Sequence, residues 1–213
     1  MILMDLIYPP RCAFCHDFVK NGRILVCDEC KRTLPFTSDN GRQKVPYTAG
    51  CAAPLFYEND VKESLHRFKF SSCTGYARAY APFLSDCIRE TYGSEFDFIS
   101  WVPISWKRMH YRGYDQAQLL AKAVGRELGM RPVRTLRKIR NNPPQSRTGD
   151  AEKRKKNVSG AYIAVRPERF SGKRILLLDD IVTTGATLSE CAKTLALSGA
   201  DKILCAAVAR SRG

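Results

Sequence analysis

The chain lacks an apolar run long enough to cross a bilayer, a G-x-x-x-x-G-K-[ST] loop, and a G-x-G-x-x-G element following a strand-like segment. The first absence argues against membrane insertion. The other two set aside the P-loop and dinucleotide-binding classes. Internal repeats are missing as well. Acidic residues are in short supply: 21 Asp and Glu face 35 Lys and Arg, a formal net charge of +14, and the pI is near 9.5. That balance favours polyanionic partners such as phosphates, nucleotides or nucleic acid. The excess is uneven. Arg131, Arg134, Arg137, Lys138, Arg140, Arg147, Lys153, Arg154, Lys155 and Lys156 meet only Asp150 and Glu152 between them, so this segment holds +8 of the +14.

What is present describes an ordinary globular chain. Its 213 residues, 44% hydrophobic and 26% charged, suffice for one compact α/β domain plus a small appendage. The opening MILMDLIYPPRC carries Asp5 in its middle, has no basic leading segment and soon meets Pro9-Pro10. It reads as a helix packing Ile2, Leu3, Leu6 and Ile7 on the body rather than as a signal peptide or a span.

Nine cysteines are an odd number for a disulfide framework, and four fall in Cys12-x-x-Cys15 and Cys27-x-x-Cys30, eleven residues apart. With no export signal, the expectation is a cytoplasmic protein whose two chelating pairs supply four thiolates to a structural, tetrahedral zinc ion. Two such pairs so close together argue against redox C-x-x-C chemistry. His16 is adjacent to Cys15 and reads as a bystander. Cys51, Cys73, Cys87, Cys191 and Cys205 lack ligand spacing and read as small core residues or incidental thiols.

Three stretches follow one another: an N-terminal zinc module over residues 1–36, a polar linker over 37–48, and a main domain over 49–213. In the last, strand-like runs (Leu55 to Tyr57, Phe98 to Ile104, Ile175 to Leu178, Ile203 to Val208) alternate with helical runs (Asp115 to Leu128, Leu188 to Ser198). This alternation predicts a mostly parallel twisted sheet flanked by helices. Gly129 and Gly199 stand where left-handed helix caps belong. Arg140 to Asn157 has no apolar residue other than prolines and Ala151, the composition of a functional loop or a disordered one.

The richest segment is Ile175 to Thr187, ILLLDDIVTTGAT. Its apolar run reads as a strand buried on both faces, which puts Asp179 and Asp180 at the carboxyl end, where ligands bind in open α/β sheets. Ile181 and Val182 lead into Thr183, Thr184, Gly185, Ala186 and Thr187, small residues that let backbone N–H groups approach a phosphate at a helix start. Carboxylates repel phosphate, so the two acids need ribose hydroxyls or a hydrated magnesium ion. The blander reading makes the acids helix caps and the threonines a turn.

This segment resembles the 5-phosphoribosyl-1-pyrophosphate (PRPP) motif of type I phosphoribosyltransferases. The resemblance implies that the acids hold the ribose hydroxyls, that the loop holds the 5′-phosphate, and that Mg²⁺ enters with PRPP. It also implies that the short loop after the first core strand contacts pyrophosphate, making Lys107 and Arg108, with Arg112 close behind, the candidates there. Arg140 to Asn157 would be the hood that closes over PRPP, with Arg147, Lys153 and Arg154 as its cations.

Joined to a four-cysteine module, the motif resembles the ComF family, the competence-associated, amidophosphoribosyltransferase-like branch of that superfamily. LIYPPRCAFC, SLHRFKF with Lys69, RGYDQAQLLA, and PQSRTGDAEKRKKNVSGAY with Gln145, Arg154 and Asn157 extend the likeness to nearly the whole chain. Asp115 departs from it, standing where R-G-x-N-Q has Asn.

Two functions stay open. One is Mg-dependent phosphoribosyl transfer with pyrophosphate release, catalysed by Lys107, Arg108, Arg147 and Arg154 and linked by the family to natural transformation or DNA utilisation. The other is a non-catalytic PRPP or nucleotide sensor whose zinc module and basic surface bind single-stranded DNA or a DNA-uptake partner. No residue stands out as a general base, so the acceptor is open. A homodimer is expected by analogy alone.

Overall fold

The computed structural model describes residues 9–19, 25–140 and 159–212. Strands β1 (Cys51–Ala52), β2 (Leu55–Phe56), β3 (Phe98–Trp101), β6 (Arg174–Val182) and β7 (Lys202–Arg210) form one sheet. Its order is β1-β7-β6-β3, with β2 also on β7, and every pair is parallel. A separate antiparallel pair joins β4 (Leu136–Lys138) to β5 (Tyr162–Ala164).

Alternation along the two long strands creates two cores. Leu176, Leu178, Leu204, Ala206 and Val208 face one cluster, with Leu84 and Ile88 of α3 (Tyr76–Tyr92) and Leu120 and Val124 of α5 (Gln116–Glu127). Ile175, Leu177, Ile203, Cys205 and Ala207 face the other, with Leu188, Cys191 and Leu195 of α6 (Ala186–Leu197). A parallel sheet buried on both faces needs apolar side chains at consecutive positions, which is why the strand reads ILLL rather than alternating. Gly129 (φ 68°) and Gly199 (φ 96°) follow the helices in left-handed conformation.

The two largest departures from the expected element boundaries are at the ends of β6 and β3. β6 continues through Asp179 and Asp180 to Val182, because β7 is equally long and pairs with it up to Val182↔Arg210. β3 stops at Trp101. Val102 N–H still reaches Leu178 O at 2.9 Å, and the next residue, Pro103, has no N–H to continue the ladder.

The four-cysteine region, which carries α1 (Asp28–Thr33), is wedged into the first core. Cys12, Ala13 and Phe14 are buried, and Phe14 meets Tyr80 and Phe83 edge-on at 5.6 and 6.0 Å. Residues 37–48 are tied down as well. Thr37 Oγ1 donates to Ala53 O at 2.7 Å, Gln43 bridges Cys51 antiparallel, and Asn40 Nδ2 donates to Glu90 at 3.1 Å. Gly41 (φ 58°) lies so close to Ala53 that a Cβ would sit 2.4 Å from its carbonyl oxygen.

Candidate functional site

Two further helices shape the crevice at the carboxyl end of β6. α2 (Asn59–Phe70) buries Val61, Leu65 and Phe68 and thereby fixes Lys69 beside the sheet. α4 (Trp106–Arg112) occupies the place where a short loop was expected after β3. Ser105 makes it helical by accepting the Arg108 N–H on its hydroxyl at 3.4 Å, and Gly113 (φ 77°) ends it.

Lys69 Nζ is 3.0 Å from Asp180 Oδ1, with both side chains largely enclosed at 22% and 13% exposure. Asp179 Oδ1 accepts the Asp180 N–H at 2.8 Å. Some surface of Asp179 stays accessible while protein encloses its carboxyl. Burial, reinforced by the Asp180 charge, raises it to about 8, and Lys69 pulls it the other way. A carboxyl held out of its usual range by burial and a neighbouring charge is common at functional sites.

Cations line the facing wall. Burial lowers the Arg112 guanidinium's pKa, the neighbouring Arg108 lowers it further, and Asp180 raises it. Arg112 also stacks over the Phe70 ring at 4.7 Å and donates to Gln116 Oε1 at 3.0 Å. Lys138 on β4 lies over the Tyr162 ring at 5.0 Å. Burial lowers its amine, Arg108 adds to this, and Asp179 opposes it.

Arg112 lies within electrostatic reach of Asp180 and of Arg108, whereas Lys107 stands exposed on the first turn of α4. Arg147, Lys153 and Arg154 lie outside the described residues, as do Ile2, Leu3, Leu6 and Ile7. β4 and β5 flank the segment that carries the three basic residues.

The acids run directly into the small-residue loop. Thr183 and Thr184 are exposed, and Gly185 (φ 71°) turns the chain into α6, which begins at Ala186 and includes Thr187. Val45 backs this turn: a Cβ on Gly185 would be 3.1 Å from its Cγ2. Ile181 is half-buried and Val182 buried.

Asp115 has a different setting from the one anticipated. It is buried, caps α5 by accepting the Gln118 N–H at 3.1 Å, and anchors the end of the β3 segment by accepting the Ile104 N–H at 3.1 Å. Burial raises its pKa and the two N–H bonds oppose the rise.

Sequence reasoning gave no role to Lys69 or Lys138. The readable signal for Lys69 was a single cation set between Phe68 and Phe70 on a helix with a Val61, Leu65, Phe68 stripe. Lys138 had none, because its approach to Asp179 depends on the β4–β5 pairing.

The sulfurs of Cys12, Cys15, Cys27 and Cys30 all lie within 4.8 Å of one another. Cys15 Sγ and Cys27 Sγ are 3.8 Å apart, matching the roughly 3.8 Å expected between two thiolates on a tetrahedral ion with Zn–S near 2.3 Å. Burial opposes ionisation of Cys12, yet N–H groups of Cys27, Phe14 and Cys15 converge on its sulfur and lower it to about 7. Burial raises Cys15 to about 12 and Cys30 higher still, so a cation is needed to hold these two as thiolates. The site is closed and therefore structural. It is coupled to α2, because Ser64 Oγ donates to Ala13 O and Arg67 to both Ala13 O and Phe14 O.

Parallel sheet, acid pair and small-residue loop define a protein of the type I phosphoribosyltransferase class. Comparison with known families agrees: residues 115–213 match the phosphoribosyl transferase domain and residues 3–61 the double zinc ribbon domain. Competence protein F of Haemophilus influenzae is 27% identical over 222 residues, covering 94% of this chain and 97% of that one. The DNA utilization protein YhgH of Escherichia coli O6:H1 is 30% identical over 203 residues, covering 90% and 86%. Competence protein ComFC of Bacillus subtilis is 30% identical over 143 residues, 67% of this chain and 56% of that protein.

The chain belongs to the ComF family. Among solved structures, glutamine PRPP amidotransferase from Bacillus subtilis matches with a TM-score of 0.40 and 21% identity over 61% of this chain, which spans about a quarter of that protein (25%). Among the described residues no helix is long and apolar enough to cross a membrane.

Proposed function

We propose that the crevice binds PRPP with Mg²⁺ and transfers its phosphoribosyl group to an acceptor with release of pyrophosphate. The observation that carries this reading is the Lys69-held pair Asp179 and Asp180 running without interruption into the Thr183 to Thr187 loop. In this reading the acids orient the ribose hydroxyls, the loop takes the 5′-phosphate, and Arg108, Arg112 and Lys138 face the departing pyrophosphate, with Lys107 at the mouth. Mg²⁺ supplies charge neutralisation on the pyrophosphate when it is bound. The chain's own contribution is positioning and preorganised charge. Arg147 and Arg154 are further candidate cations, and residues 1–36, 37–48 and 49–213 are our proposed functional divisions.

Calorimetry with PRPP and Mg²⁺ tests this on the wild type and on Asp179→Asn with Asp180→Asn. Binding by the wild type and loss in the double variant is the expected result. Absence of wild-type binding overturns the reading.

A second reading keeps PRPP as a signal without turnover and gives the protein a single-stranded DNA ligand. What favours it is α4, which has no buried residue and exposes Trp106 (78%) and Tyr111 (83%) beside Lys107, Arg108 and Arg112. Trp106 already stacks on His110, with 5.5 Å between centroids and 16° between planes. Exposed rings interleaved with cations are how single strands are held without base-specific bonds. Pyrophosphate release across a panel of acceptors separates the two: turnover supports the enzyme. Binding of PRPP and of salt-sensitive single strands without turnover supports the sensor.

A further inference from the structure

Arg32, Arg89, Arg174 and Arg212 each bond a carboxylate, at 2.7 to 2.8 Å. Arg112, half-buried at the end of α4, is held differently. Among the described residues it makes no ion pair, and both of its partners are neutral: Gln116 Oε1 accepts its N–H at 3.0 Å, and its central carbon lies 4.7 Å from the centroid of the Phe70 ring. Asp180 and Asp115 act on it only through longer-range electrostatics. Asp180 is taken by Lys69, and the two Asp115 oxygens by the N–H groups of Ile104 and Gln118.

The two neutral partners are themselves fixed. Gln116 is 1% exposed, a setting in which an amide is stable only when its polar ends are used. Oε1 takes Arg112, and Nε2 is directed at Lys69 O at 3.5 Å. The Phe70 ring rests on His66, one turn earlier on α2, with 4.7 Å between centroids. Tyr114 adds its hydroxyl to Phe68 O. Residues 112–116 thus grip the last turn of α2, whose carbonyls have no donor within the helix. One joint therefore places both Lys69, which holds Asp180, and Arg112.

A carboxylate at position 116 would hold a guanidinium more strongly than an amide does. It would also offset the cation's attraction for an incoming anion. An amide and an aromatic ring orient Arg112 and leave its charge, with its remaining N–H donors, open to phosphate oxygens. We propose that Gln116 and Phe70 are positioning residues that keep Arg112 an uncompensated cation for the pyrophosphate arm of PRPP. This rests on the PRPP reading of the crevice and adds to it the residues that set the charge there.

A bracing role and a charge-sparing role for Gln116 rank its variants oppositely. With bracing alone, Gln116→Glu, which still accepts from Arg112, is milder than Gln116→Met. With charge sparing, the glutamate is the more damaging. Calorimetry on the full chain with Mg²⁺ and pyrophosphate, and separately with ribose 5-phosphate, reads the order. We expect Gln116→Glu to weaken pyrophosphate binding about tenfold or more, about 1.4 kcal/mol, Gln116→Met about threefold, and both to bind ribose 5-phosphate within about twofold of the wild type. Added salt should weaken pyrophosphate binding less steeply in Gln116→Glu, because one cation no longer contributes. Phe70→Glu repeats the comparison at an exposed position (53%) and should weaken pyrophosphate binding more than Phe70→Leu.

Neutral variants as damaging as the glutamates at both positions overturn the proposal, as does parallel loss of ribose 5-phosphate in both glutamate variants. A wild type that binds ribose 5-phosphate and PRPP but not pyrophosphate overturns it alone. Failure of the wild type to bind any of the three overturns the PRPP reading with it.

Discussion

Lys69 and Asp180, 111 positions apart in sequence, form an ion pair of 3.0 Å at the end of the central strand. The pair joins a helix supported by the cysteine module to the acids that face the proposed ribose site. It fixes one carboxylate of two that would otherwise repel each other.

Removing the cation should therefore disturb the ligand more than the fold. Lys69→Met is expected to weaken PRPP·Mg²⁺ binding about tenfold, about 1.4 kcal/mol. Because Lys69 holds the Asp179 pKa down, the pH at which binding is half-lost should also move upward. Calorimetry from pH 6 to 9 reads both effects, and an unchanged profile counts against the role.

Asp179→Asn should stabilise the free protein, increasingly so as pH rises. The folded carboxyl titrates near 8 and an unfolded aspartate near 3.9. Between those values the folded state holds a proton that the unfolded state has released, so wild-type stability declines as pH rises through the window. Asparagine abolishes that titration. The variant should melt above the wild type at pH 8 by about 2–4 °C for each kcal/mol relieved, with the gap closing towards pH 4. A gap independent of pH would falsify the assignment.

Gly185→Ala should destabilise the protein and weaken PRPP binding together. A left-handed alanine costs about 1–2 kcal/mol, and its Cβ would press Val45 Cγ2 at 3.1 Å. Adding Val45→Ala should recover the steric part and leave the backbone part. Thermal melts of the four combinations measure that coupling.

Zinc analysis should find one equivalent per chain, and Cys30→Ser should lose it. Since Ala13 O and Phe14 O accept bonds from Ser64 and Arg67 on the helix that ends in Lys69 and Phe70, zinc loss should lower PRPP affinity as well as melting temperature. Retention of full affinity by the zinc-free protein contradicts the linkage.

Legibility in the sequence followed locality. Leu176 to Leu178, the acid pair and the small loop are contiguous, so strand, charge and phosphate turn were readable as one string. Gly129 and Gly199 announced their helix ends by needing positive φ. The cysteine cluster was fixed by spacing alone. What escaped depended on tertiary pairing: Lys69 reaches Asp180 only because α2 packs its Val61, Leu65, Phe68 stripe inward, and Lys138 reaches the crevice only through the β4–β5 ladder. Helix α4 was missed because WKRMHYR carries no apolar stripe to bury. Its cap at Ser105 and stop at Gly113 do the work that periodicity does elsewhere. Asp115, seen as a charge, is a bracket holding two backbone N–H groups.

The seating of residues 37–48 bears on how this architecture diversifies. With Gly41 lodged under Ala53, Asn40 bonded to Glu90 and Val45 against Gly185, the metal-binding end is not a cassette on a flexible tether. A chimera that exchanges it between relatives has to carry the strap and its three seats along, so the two halves are expected to change in concert or not at all.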